Sequence, residues 1–209
     1  MAKYLPTRRT ERKGRNNLLL TYMIMTNFDK RKLTEMVLYI LNKTNGLDYY
    51  RVFKVIYFAN VSHLAKYGIR ITTDEFCALQ DGPVPSILYN SIKDNEAFCD
   101  KELAEMINQS IVKGSDDADY MLSARREANT DYLSRSEIEE LNKSIEENAY
   151  LSYNKLRSKS HGDEWARAYH SSMPGRKIMD VLGMARDADA TEDMIEYIKE
   201  GLELEAALS

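Results

Sequence analysis

The sequence predicts a mainly α-helical domain that carries a small antiparallel β-sheet of about three short strands. Three observations support this. Apolar residues recur at helical spacing over most of the 209-residue chain. Cap-forming residues and glycines punctuate those stretches. Only short segments near 69–79 and 120–124 turn to β-branched and aromatic residues.

The first helix is expected from Asp29, because Leu33, Met36, Val37, Ile40 and Leu41 form one apolar stripe. Asn45-Gly46 ends it, and Asp48 is placed to cap the next. Between Val52 and Val61 only Lys54 and Asn60 are polar, so this second helix is expected at the centre of the core, with Gly68 as its stop. Ile69 to Leu79 is read as two short strands around a Thr73-Asp74 turn, broken by Asp81-Gly82-Pro83. Pro85 suits the start of a helix running through Ile92. A further helix spans Lys101 to Gln109, Gly114 to Asp117 is a turn, and Tyr120 to Ala124 is a third strand. Ser134 and Glu137 have capping-box spacing ahead of a helix through Ile138, Leu141 and Ile145. Short helices follow Tyr150, with a loop at Ser158 to Gly162. Thr191 to Leu208 reads as an amphipathic helix with Met194, Ile198 and Leu202 on one side.

With 44% hydrophobic and 30% charged residues, the chain can build a core, and wholesale disorder is not expected. Cys77 and Cys99 are too few for a disulfide framework and fit no zinc spacing, so reduced thiols in the cytoplasm are expected. No run approaches the ~20 apolar residues of a membrane span. Leu18 to Met25 follows a basic stretch, yet it lacks a small-residue cleavage site and runs into Asp29-Lys30-Arg31-Lys32, which argues against export.

Charge is unevenly spread. Residues 1–32 hold nine Lys/Arg against two Asp/Glu, a net of +7, so the overall −4 leaves −11 for the remainder. An acidic body argues against nucleic acid as a partner and suits a basic protein. The bland alternative is that these acids keep the helices soluble. Residues 1–28 are expected to be a disordered basic extension, with Met23 and Met25 as alternative translation starts. Residues 29–183 form the main domain and 184–209 an acidic C-terminal amphipathic helix.

No Gly-rich phosphate loop, Gly-x-Ser-x-Gly elbow or His-Glu-x-x-His helix is present. His63 reads as a hydrogen-bonded core or boundary residue. His161 and His170 lie nine apart with Asp163 and Glu164 between them, and nothing in that spacing demands a metal or acid–base pair. His161 and Trp165, four apart, are better placed to stack and close a loop. Cys77 reads as a buried strand thiol. No catalytic, cofactor or metal residue is assigned, and fourteen tyrosines favour a binding module.

The segment Phe53-Lys54-Val55-Ile56-Tyr57-Phe58-Ala59 resembles the Lys-Leu-Leu-Tyr-Phe-Ala signature of the SocA-like Panacea domain. The resemblance continues in order: a strand ending in Ala78, Asp81-Gly82-Pro83-Val84, Tyr89, Leu133-Ser134 before an acidic helix, then His161 and Trp165. It covers roughly Leu33 to Tyr169. It implies an antitoxin that neutralises an adjacent-gene protein toxin by direct binding, without catalysis or cofactor. Two alternatives stand beside this. One is an adaptor that delivers the toxin to an AAA+ protease. The other is a phage- or plasmid-associated protein with another target, including DNA through the basic arm. For Lys54, Tyr57, Asp81, Gly82, Pro83, Val84, Tyr89, His161 and Trp165 the resemblance implies mainly structural roles, with partner contact as the alternative.

Overall fold

The computed structural model describes residues 25–93, 95, 98–114 and 120–208. Most of the turn expected at Gly114 to Asp117, and the basic extension up to residue 24, lie outside the described residues.

Helix α1 (Asn27–Thr44) opens with a capping box, in which Thr26 and Asp29 satisfy each other's backbone N–H groups. Asn45, in the left-handed region at φ 53°, closes it. Strand β1 (Leu47–Asp48) leads into α2 (Tyr49–Tyr67), whose first turn is capped by the Asp48 carboxylate and whose end is capped by Gly68. A hairpin follows, β2 (Phe76–Leu79) and β3 (Gly82–Pro85), then α3 (Ser86–Ile92) and α4 (Lys101–Ser110). Strands β4 (Ile111–Lys113) and β5 (Met121–Ala124) complete a three-stranded antiparallel sheet of order β1-β5-β4, with Leu47 opposite Leu122 and Val112 opposite Ser123. The capping box at Ser134 and Glu137 starts α5 (Arg135–Asn148). Helices α6 (Tyr153–Lys159), α7 (Asp163–Tyr169), α8 (Val181–Asp187) and α9 (Glu192–Leu208) finish the described chain. The molecule is mainly α-helical with small antiparallel sheets, as the sequence pattern predicts.

Helix α2 is the axis of the core. Val52, Val55, Ile56 and Ala59 are fully buried, and α5 lies along it, with the Ser144 hydroxyl donating to the Val55 carbonyl at 2.8 Å. A helix apolar on most sides must be surrounded. Helix α1, β3, α8 and α9 also pack against α2.

The β-structure departs from expectation in its strand count and in the 69–79 region. The sequence pattern does not signal β1 and β4, and the five strands among the described residues form two sheets rather than one. Ile69 to Glu75 is irregular, and the hairpin turn is Gln80-Asp81 rather than Thr73-Asp74. Side chains divert the backbone there. Asn60 Oδ1 accepts the Ile71 and Thr72 N–H groups at 2.9 and 3.3 Å. The buried Asp74 carboxylate accepts from the Ile87 and Leu88 N–H groups at 2.9–3.1 Å and from the Ser86 hydroxyl at 3.3 Å, so it caps α3 from a distant point in the chain. Burial still holds the Asp74 carboxyl up at about 6 against these donors. The Asp81-Gly82-Pro83 segment therefore turns the strand back rather than ending it.

Both hairpin edges are closed. Phe76 pairs with Pro85 and Leu79 with Gly82, and the Ser86 N–H donates to Glu75 O. By alternation, Val84 and Gly82 bond to β2 while Pro83 and Pro85 face outward with no N–H to offer. Residues 177–179 run along the far edge of β2, where Ala78 N–H donates to Lys177 O and Met179 N–H to Phe76 O.

Candidate functional site

Six of the nine residues singled out from the sequence meet around the hairpin turn: Lys54, Asp81, Gly82, Pro83, His161 and Trp165. Lys54 projects from the buried centre of α2 and has no solvent exposure. Its ammonium donates to the Pro83 carbonyl at 2.8 Å and lies 5.1 Å from the Tyr50 ring centre. Burial lowers its pKa from the usual 10.5 to about 7; Arg157 acts in the same direction, and Asp81 opposes it.

Helices α6 and α7 supply the opposite wall. His161 stacks on Trp165 with ring centres 3.5 Å apart and planes 10° from parallel, and Tyr169 continues the stack at 4.9 Å. The three rings are spaced four residues apart, which aligns them through the entry and length of α7. The indole N–H of Trp165 donates to Leu79 O at 2.9 Å and ties the stack to the hairpin. Burial, with Arg157 and Lys54 nearby, lowers the His161 pKa and so favours the neutral ring. Its Nε2 is buried without a hydrogen-bond partner among the described residues.

The hairpin enters this clamp only because residue 82 is glycine. Its φ is +98°, and an added Cβ would lie 2.6 Å from Lys54 Nζ and 3.3 Å from His161 Cδ2, and would collide with Ser160 Oγ. Gly82→Ala is expected to cost about 2–4 kcal/mol, combining backbone strain with overpacking. Gly175 has φ +103° but open space around its Cβ position, so Gly175→Ala should cost only the strain, about 1 kcal/mol. Urea unfolding of both variants checks the contrast; equal costs would show that crowding at residue 82 is not the cause.

Four residues outside the family motif complete the site: Tyr50 and Tyr153, two of the tyrosines that favour a binding module, with Arg157 and Ser160. The Tyr50 hydroxyl donates to Asp81 O at 3.3 Å, and its ring packs on Tyr153 at 4.9 Å. Burial, with Tyr153 and Asp81 beside it, raises the Tyr50 pKa. Arg157 donates to Gln80 O at 3.1 Å and pairs with Asp81 at 3.3 Å. Ser160 closes the loop by donating to Arg157 O at 3.0 Å. Helical spacing held a signal for two of them: Tyr50 stands four before Lys54, and Arg157 four before His161.

The remaining three residues lie elsewhere. Tyr57, one turn beyond Lys54, is buried with its ring edge-on to Phe76 at 5.3 Å. Val84 and Tyr89 line a separate groove of about 310 Å³ between the hairpin, α3 and residues 175–177. His63 is held by Ile69 O and the Ser136 hydroxyl at 2.7 and 3.1 Å. Among the described residues, no three His, Cys, Asp or Glu side chains converge in a way that could hold a metal ion. The arrangement is chemically a clamp. A sealed cation and an aromatic stack fix the hairpin, and Asp81 and Tyr153 are left exposed at its tip.

A search of curated proteins finds no match, and a search of solved structures finds none. The family model described as antitoxin SocA-like, Panacea domain, matches residues 52–166, more than half of the chain. That span begins in α2 just before Lys54 and ends one residue beyond Trp165, so it holds Lys54, the hairpin and the His161–Trp165 stack, with Tyr50 and Tyr169 just outside it. The chain belongs to the SocA-like Panacea antitoxin family.

Proposed function

We propose that this protein is the antitoxin of a toxin–antitoxin pair, and that it neutralises the product of an adjacent gene by direct protein–protein binding in the cytoplasm, without catalysis. The family match over residues 52–166 carries this reading. Two further observations support it. The clamp spends its polar groups on holding a hairpin, and Asp81, Tyr153 and the half-buried Arg157 at its tip are residue types suited to recognition. The body after residue 32 has a net charge of −11, which favours encounter with a basic protein. No helix among the described residues is long and apolar enough to cross a membrane.

Co-expression with the neighbouring gene product tests the reading. Growth should be restored, and the two chains should co-purify in fixed stoichiometry. Restored growth with loss of the neighbour from the lysate would replace simple binding with delivery to a protease. A non-toxic neighbour that forms no complex would remove the antitoxin assignment.

A further inference from the structure

The first half of α9 belongs to the domain. Ile195 and Ile198 pack with Leu64 and Ala185 in a small second core. Beyond Leu202, which still packs on that core, the helix leaves it, with Leu204 61% and Leu208 80% exposed. Between this projecting end and the flank of the hairpin runs a groove of about 910 Å³. Its walls are largely apolar, with Phe76, Ile178 and Met184 on the body and Leu202, Ala206 and Leu208 on α9. Besides the buried Asp74, the carboxylate residues Asp29, Asp180 and Glu205 border it, together with Glu75, which pairs with Arg176 at 3.1 Å. Against them stand Arg70 and Arg167, the latter paired with Glu164 at 2.6 Å. Thr73 also lines it, and the Thr73 hydroxyl is buried without a partner among the described residues.

From these features we infer that the groove receives a basic amphipathic segment of the toxin, an inference that rests on the antitoxin reading above. Aliphatic or aromatic side chains of that segment fill the apolar walls, and its lysines or arginines meet the acidic rim. The excess of carboxylates at the rim, on a body that is acidic overall, selects a basic occupant over an acidic one. The end of α9 contributes an apolar wall that its own domain does not cover.

The test uses full-length protein and the product of the adjacent toxin gene. Ala206→Trp fills the groove from an exposed helical position, so the fold should be retained, as circular dichroism and melting temperature will show. It is expected to weaken the complex by about ten-fold or more and to reduce growth rescue in proportion. Arg70→Glu makes the rim more acidic and should tighten binding at low salt, with the difference shrinking at high salt. Weaker binding by this variant would overturn the basic occupant. A folded Ala206→Trp protein that binds and neutralises like the wild type would overturn the inference while leaving the antitoxin reading intact. Equal and non-additive losses of melting temperature from Ala206→Trp and from deletion of residues 1–24 would also overturn it, by assigning the groove to this chain's own leader. A wild-type protein that binds no toxin would defeat both readings.

Discussion

Trp165→Ala is expected to destabilise the protein by about 3–5 kcal/mol, the range for removing a large buried aromatic side chain. The substitution takes away the ring between His161 and Tyr169 together with the N–H that holds Leu79 O. Three consequences should appear together. The hairpin loses its tie to α7, His161 loses its stacking partner, and the Gln80-Asp81 turn keeps only side-chain ties that do not come from α7, such as those of Arg157 and Tyr50. Trp165→Phe keeps an aromatic ring and loses the N–H, so its cost should be smaller, about 1–2 kcal/mol. Trp165 is the only tryptophan in the chain, so the comparison is made by circular dichroism in urea rather than by fluorescence. A cost below about 1 kcal/mol for the alanine variant would show that the stack does not support the fold.

Stability should also rise with pH from about 7 toward about 9, with Lys54 as the source. Above that, the buried Cys77 thiol and the Tyr50 and Tyr57 hydroxyls, whose pKa values burial raises, begin to oppose the rise. In the unfolded chain this amine binds its proton with the usual pKa of 10.5; in the fold, burial lowers the value to about 7. Across that window the unfolded state therefore holds more protons, and stability increases as pH rises. Below pH 7 both states carry the charge, and the full cost of burying it remains. At about 1.4 kcal/mol per pH unit, the ceiling on this contribution is about 5 kcal/mol. Lys54→Met should flatten the rise and stabilise the protein at pH 6 by about 1–2 kcal/mol, because the gain from removing a buried charge exceeds the loss of the Pro83 hydrogen bond. Urea midpoints for both proteins at pH 6, 8 and 10 measure this directly. Parallel pH profiles for the two would show that Lys54 is not the source.

Local chemistry made much of the fold legible. Asp48, the Ser134–Glu137 pair and Gly68 cap helices where their residue types predict. The buried α2 followed from a stretch with only Lys54 and Asn60 polar. The hairpin register was not legible, because what fixes it is long-range: Asn60 reaches Ile71, and Asp74 reaches Ile87 and Leu88. Strands β1 and β4 have two and three residues, too few to display a period of two. At the site, the His161–Trp165 stack could be read from a spacing of four. The Lys54–Pro83 contact spans 29 residues and has no local signature, and only the family resemblance pointed to both partners. The same distance hid the roles of Tyr50 and Arg157, whose partners at Gln80 and Asp81 lie far along the chain.

The closed edges of the hairpin bear on how this protein behaves alone at high concentration. An open strand edge recruits other chains through its backbone, whatever their sequence, and is a route to fibrils. Here Pro83 and Pro85 provide no donors, Lys54 occupies the Pro83 carbonyl, and residues 177–179 cover β2. Self-templated polymerisation through this hairpin is thereby blocked. A molecule that engages this end must discriminate by the side chains of Asp81, Tyr153 and Arg157, and so by the identity of the sequence rather than by generic backbone polarity.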